Sequence, residues 1–141
     1  MNFNYPFSTF VDLLHDRALR QPNQIAYTFL LDGETEKVQL TYQELYQRVL
    51  TIAVHLQSVA TPGERALLLY PPGLDYITAF LACLCSGVIA VPAYPPRPNR
   101  TDPRLQAIIK DAQATLVLTD GSLLTNGQQR FASIPELAAI H

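Results

Sequence analysis

The run Ala66-Leu-Leu-Leu-Tyr70 constrains the fold of this chain more than any other segment. Five successive apolar residues cannot alternate between core and water, so the run reads as a strand covered on both faces, as in a parallel sheet. Pro71-Pro-Gly73 turns the chain, Leu74 to Cys85 can form a helix, and Gly87 is placed to end it. Val88 to Val91 follows as a second short buried strand, and Pro92 to Pro103 is a loop rich in proline and arginine. A helix from about Arg104 to Ala114 and a third strand, Thr115 to Leu118, complete a β-α-β-α-β unit with right-handed crossovers. Eight of the eleven prolines fall between Pro62 and Pro103. They are expected at the ends of these strands and not inside them.

Ahead of that unit the pattern is different. Thr9-Phe-Val-Asp12 has the form of a capping box, and Phe10, Leu13, Leu14 and Ala18 recur at helical spacing until Pro22. Ile25 to Leu31 and Lys37 to Leu40 read as two strands of a hairpin turned at Asp32-Gly33. Thr41-Tyr-Gln-Glu44 is a second capping box. Behind it Leu45, Val49, Ile52, Ala53 and Leu56 form the apolar stripe of a helix that ends before Pro62-Gly63. No internal repeat or linker divides the chain, which reads as one α/β unit over residues 1–141. The stretch Ile134 to His141 supplies no closing element, so the chain is expected to be the opening part of a larger enzyme.

Composition excludes several functions. With 48% hydrophobic and 16% charged residues the chain has the makeup of a globular unit. A net charge of −2 argues against nucleic-acid binding, which needs a basic face to neutralise phosphates. Arg97, Arg100 and Arg104 are a local basic cluster, read as a solvated loop in preference to a phosphate site. Cys83 and Cys85 point about 200° apart on a helix, which suits neither a metal pair nor a disulfide; they are expected as small core residues in a reducing compartment. The uncharged run Tyr76 to Pro96 is long enough to cross a bilayer. Ser86-Gly87 and three prolines interrupt it and no basic flank orients it, so a buried helix followed by a buried strand is the reading preferred. The N-terminus shows no secretory signal, and the cytoplasm is the expected location.

Ligands of an open parallel sheet bind beyond the carboxyl ends of its strands, which directs attention to the loops after Tyr70, Val91 and Thr119. No G-x-G-x-x-G and no G-x-x-x-x-G-K-[ST] occurs. The Ser/Thr/Gly-rich stretch Thr119 to Gly127 has no lysine. His15, His55 and His141 are scattered, which gives neither a triad nor a metal site. Asp75 and Asp120 follow strand ends, where helix-capping and turn roles compete with acid, base or ligand roles. No catalytic set and no metal site is legible from the residues alone.

Three segments carry a resemblance to a known family: Leu40-Thr-Tyr-Gln-Glu-Leu45, Pro62-Gly-Glu-Arg-Ala-Leu-Leu-Leu-Tyr-Pro-Pro-Gly73 and Cys85-Ser-Gly-Val-Ile-Ala-Val-Pro-Ala-Tyr-Pro-Pro96. In order and spacing they resemble the first core motifs of the adenylate-forming acyl synthetases. The continuation Arg97-Pro-Asn-Arg100 and Leu105 to Ala114 is similar to the fatty acyl-AMP ligase branch. The resemblance implies an incomplete N-terminal part of an AMP-binding (adenylation) domain. In such an enzyme, fatty acid and ATP with Mg²⁺ give an acyl-adenylate, and the acyl group then passes to the phosphopantetheine thiol of an acyl carrier protein. It also implies what is missing here: the lysine-bearing phosphate loop, the adenine and metal motif, the ribose aspartate and the C-terminal lysine. The chain alone is therefore expected to be inactive and to hold no cofactor itself, with the remainder of the adenylation domain, or self-association, as its partner. A non-catalytic interaction module that binds through an exposed sheet edge, one part of a split enzyme, and a fragment of an acyl-coenzyme A synthetase or amino-acid adenylation domain are the other readings.

One candidate site follows from the resemblance. In coenzyme A-using relatives the loop after the strand matching Val88 to Val91 lies near the thiol-donor channel. Here Tyr94, Pro95 and Pro96 make it bulky and stiff, with Arg97 and Arg100 available to a phosphate.

Overall fold

The computed structural model describes residues 7–96 and 102–121. Its elements run α1 (Phe10–Arg20), β1 (Ile25–Leu30), β2 (Lys37–Thr41), α2 (Tyr42–Val59), β3 (Arg65–Leu69), α3 (Leu74–Ser86), β4 (Ile89–Ala93), α4 (Pro103–Ala112) and β5 (Leu116–Thr119). Every element read from the sequence is present, with ends displaced by one or two residues.

Local chemistry starts and stops these elements. In α2 the capping box is complete: the Thr41 hydroxyl accepts from the Glu44 N–H, and the Glu44 carboxylate accepts from the Thr41 N–H. At α1 only half of the expected box forms. Thr9 accepts from the Asp12 N–H, while the shorter Asp12 carboxylate accepts a hydrogen bond from the Thr9 hydroxyl instead of from its N–H. Leu14 anchors α1, and Phe10 stays 71% exposed although it shares the periodic pattern. In the hairpin loop the Asp32 carboxylate accepts the N–H groups of Glu34, Thr35 and Glu36 and the Thr35 hydroxyl, which holds its pKa far below the usual carboxylate range. Gly87 ends α3 in the left-handed conformation at φ 78°.

The antiparallel pair β1–β2 stands apart from a parallel sheet ordered β4-β3-β5. Because β3 is central, its alternating side chains enter two cores. Ala66 and Leu68 join Leu40 and residues of α1, α2 and α3 on one face, whereas Leu67 and Leu69 meet Leu105 and Ile109 of α4 on the other. All four β3 residues from Ala66 to Leu69 are fully buried. Helices on opposite faces are what two crossovers of one hand require when the first leads to one neighbour of β3 and the second to the other.

Pro92 corrects the expectation that prolines stay outside the strands, since it lies within β4 and pairs in register with Leu68. The reason is geometric. Ile89 donates its N–H to Glu64 on the β3 side, and backbone groups alternate along a strand, so position 92 turns its nitrogen away from β3. The missing N–H is then one that no ladder bond needs.

Candidate functional site

Leu69 pairs with Ala93 on one side and with Thr119 on the other, so the three parallel strands finish level. The chain leaves β3 toward α3 on one face and leaves β4 toward α4 on the opposite face. The connections diverge at the carboxyl ends of β3 and β4, and a crevice opens between them, as expected where crossovers change sides. A cavity of about 660 Å³ occupies this place. Its walls come from Tyr70 to Pro72 after β3, Tyr76 on α3, Pro92 to Pro95 at the end of β4, and the first turns of α4.

Tyr94 and Pro95 both line the cleft, so two of the five candidate residues face a real cavity. Tyr94 is 74% exposed and Pro96 is buried. Arg97 and Arg100 lie outside the described residues. Of the three loops singled out in the sequence, those after β3 and β4 build the cleft.

Tyr70, Tyr76 and Arg104 are cleft residues that the sequence reading did not assign. In the sequence Tyr70 is no more than the last residue of an apolar run. Its phenol is pushed up to about 12, first by burial and then by the negative charges of Asp75 and Asp120. It therefore stays protonated at neutral pH and can act as a hydrogen-bond donor. Asp75 is not the cap of α3, a position held by Gly73; it sits in the first turn, where a carboxylate suits the positive end of the helix. Asp102 caps α4 by accepting the Leu105 N–H, and Pro103 opens that helix without wasting a donor. Arg104 is the one cation among the described residues lining the cleft.

Prolines and ring-bearing side chains make this a stiff, mainly apolar cleft with few polar groups. Such a lining suits binding and alignment. Among the described residues that line it, no nucleophile stands beside a base. Among the described residues no group of three or more His, Cys, Asp or Glu could hold a metal, and no helix is long and apolar enough to cross a membrane. Cys83 is buried in the first core and Cys85 half-buried, and burial raises both thiols, Cys83 to about 11.

Residues 14–140 match the family model described as AMP-binding enzyme. The chain is 51% identical over 119 residues to the medium-chain-fatty-acid–[acyl-carrier-protein] ligase JamA of Moorena producens, covering 82% of this chain and 20% of that protein. It is 36% identical over 121 residues to the long-chain-fatty-acid–AMP ligase FadD23 of Mycobacterium tuberculosis, with coverages of 84% and 21%. Among solved structures, fatty acyl-adenylate ligase of Legionella pneumophila in complex with acyl adenylate and pyrophosphate superimposes with a TM-score of 0.77 at 34% identity, covering 93% of this chain and 25% of that one. A fatty acid AMP ligase of the same organism gives 0.74 at 39%, covering 82% and 20%. The chain thus spans about one fifth of the length of the curated relatives it matches.

Proposed function

Because this chain belongs to the AMP-binding enzyme family, we propose that it forms the N-terminal part of a fatty acyl-AMP ligase, an incomplete adenylation domain over residues 1–141. The whole enzyme would join a fatty acid to the AMP portion of ATP and pass the acyl group to an acyl carrier protein. Adenylation is needed because a carboxylate is a poor electrophile until one of its oxygens belongs to a good leaving group. The observation that carries this reading is the 51% identity to an enzyme whose name states that activity. A cytoplasmic location belongs to the same proposal.

ATP and Mg²⁺ belong to this reading of the whole enzyme, and among the described residues the cleft carries one cation, Arg104. Those ligands would be held by the rest of the protein, and the 141 residues alone would not adenylate. Fatty-acid-dependent ATP–pyrophosphate exchange checks both halves of the proposal. The isolated chain should give no turnover. A chimera carrying residues 14–140 in place of the matching segment of the medium-chain ligase should retain it. Turnover by the isolated chain, or a folded chimera that is inactive, would overturn the reading.

The role proposed for the cleft is to shape entry of the thiol donor, with Tyr94, Pro95 and Pro96 as a stiff wall that disfavours free coenzyme A, and Arg97 and Arg100 available to a phosphate. Support comes from Tyr94 and Pro95 lining the cavity. Replacing Pro95 and Pro96 by glycine in the full-length enzyme should raise the use of coenzyme A as acyl acceptor. An unchanged preference would remove this role.

A further inference from the structure

The cleft reaches across the end of the sheet, with Tyr76 of α3 on one side and Arg104 of α4 on the other. Its two ends differ in charge. At the end of β3, burial first and then the carboxylates of Asp75 and Asp120 raise the Tyr70 phenol, so this end combines negative potential with a neutral donor. An anion is disfavoured there, while an uncharged polar group can accept from the phenol.

The α4 end is the opposite case. Arg104 stands exposed in the first turn of α4 and lines the cavity. Asp102 lines it as well, but its carboxylate accepts the Leu105 N–H as the cap of the helix, and among the described residues the one ion pair joins Arg20 to Asp16. The guanidinium therefore keeps its fork of donors for a ligand, and a phosphate is a group that such a fork takes with two parallel hydrogen bonds. Between the ends, Pro71, Pro92 and Pro95 contribute apolar lining. The ligand that fits is mainly apolar, uncharged at one end and bears a phosphate at the other.

We propose that Arg104 is a specificity-determining residue of the thiol-transfer step, binding the phosphate of the phosphopantetheine arm and directing its uncharged thiol end toward Tyr70. The inference rests on the reading of the cleft as the entry of the thiol donor, and adds to it a residue and a direction. In the transfer the thiol sulfur bonds to the acyl carbon and the bond from that carbon to the AMP oxygen breaks. AMP leaves with the electron pair, and the thiol proton passes to solvent.

Transfer is measured from purified acyl-adenylate in the chimera that carries residues 14–140, so that the ATP-dependent step does not enter. The acceptors are phosphopantetheine and pantetheine, which share the thiol and differ by the phosphate. The unsubstituted chimera should prefer the phosphorylated acceptor in kcat/KM. Arg104→Gln should shrink that preference at least about fivefold, through KM for phosphopantetheine. Arg104→Lys, which keeps the charge and loses the fork, should fall between the two. A chimera indifferent to the phosphate, an unchanged preference in Arg104→Gln, an equal loss toward both acceptors, or a loss in Arg104→Lys as large as in Arg104→Gln each overturns the proposal. An unchanged preference is also the outcome expected if the guanidinium serves the phosphates of ATP instead. If the unsubstituted chimera transfers to neither acceptor, the thiol-donor reading falls and the proposal with it; transfer that prefers the phosphate without regard to Arg104 removes the proposal alone.

Discussion

Thr115 and Glu64 meet at 3.0 Å although 51 positions separate them, the threonine hydroxyl donating to the glutamate carboxylate. The other oxygen of that carboxylate takes the backbone N–H and hydroxyl of Thr61. One half-buried residue thereby ties the connection between α2 and β3 to the start of β5. These bonds, the Thr61 N–H first, hold the Glu64 pKa below its usual 4.5. A carboxyl whose folded pKa is depressed contributes stability that is present above the unfolded value and is lost as pH falls through the folded one. Glu64→Gln should therefore lower the thermal midpoint at neutral pH, modestly because solvent screens the group. Calorimetry at descending pH should show the difference from wild type closing below pH 4.5.

Gly87 combines a positive φ with a near neighbour. A Cβ added there would stand 3.3 Å from the Cβ of Pro62 on a backbone at φ 78°. Gly87→Ala should cost about 1–2 kcal/mol, more than the substitution costs where the backbone is relaxed. Urea denaturation measures this, and an unchanged midpoint would contradict the left-handed cap.

Leu67 and Leu68 are adjacent and face opposite cores. Each is fully buried, so replacement by alanine should cost about 2–5 kcal/mol in either case. The two variants should differ in where they loosen the protein. Leu67→Ala should speed hydrogen exchange in α4, and Leu68→Ala should speed it in α2 and α3. The same pattern in both variants would contradict the two-faced packing of β3.

Cys83, with a thiol raised to about 11 by burial, should be inert to a disulfide reagent at neutral pH until the protein unfolds. The half-buried Cys85 should react first. Rapid labelling of Cys83 in the folded chain would mean that α3 is not seated as described.

Which parts of this were legible in the sequence depended on how far apart the determining residues lie. The Thr41 and Glu44 box, the Leu45 to Leu56 stripe and the apolar run of β3 are local patterns, and the structure reproduces each. Strand order was not legible, because the position of β5 beside β3 is settled by packing across 50 residues. Pro92 was misplaced by a sound local rule that takes no account of which way a residue faces at a sheet margin. Tyr94 and Pro95 could be found because they sit in one conspicuous loop. Tyr70, Tyr76 and Arg104 come from three separate segments and become neighbours only once α3 and α4 take opposite faces. The family resemblance reached further than periodicity, since motif order carries information that a single element does not.

The central place of β3 has a consequence for synthesis. Both of its partners lie downstream, β4 beginning 24 positions after it and β5 50 positions after the paired Ala66. As the chain leaves the ribosome, Ala66 and Leu68 can settle on α2 and the hairpin at once, but Leu67 and Leu69 must wait for Leu105 and Ile109. During that interval the apolar face made by Leu67 and Leu69 is without the helix that covers it in the finished fold.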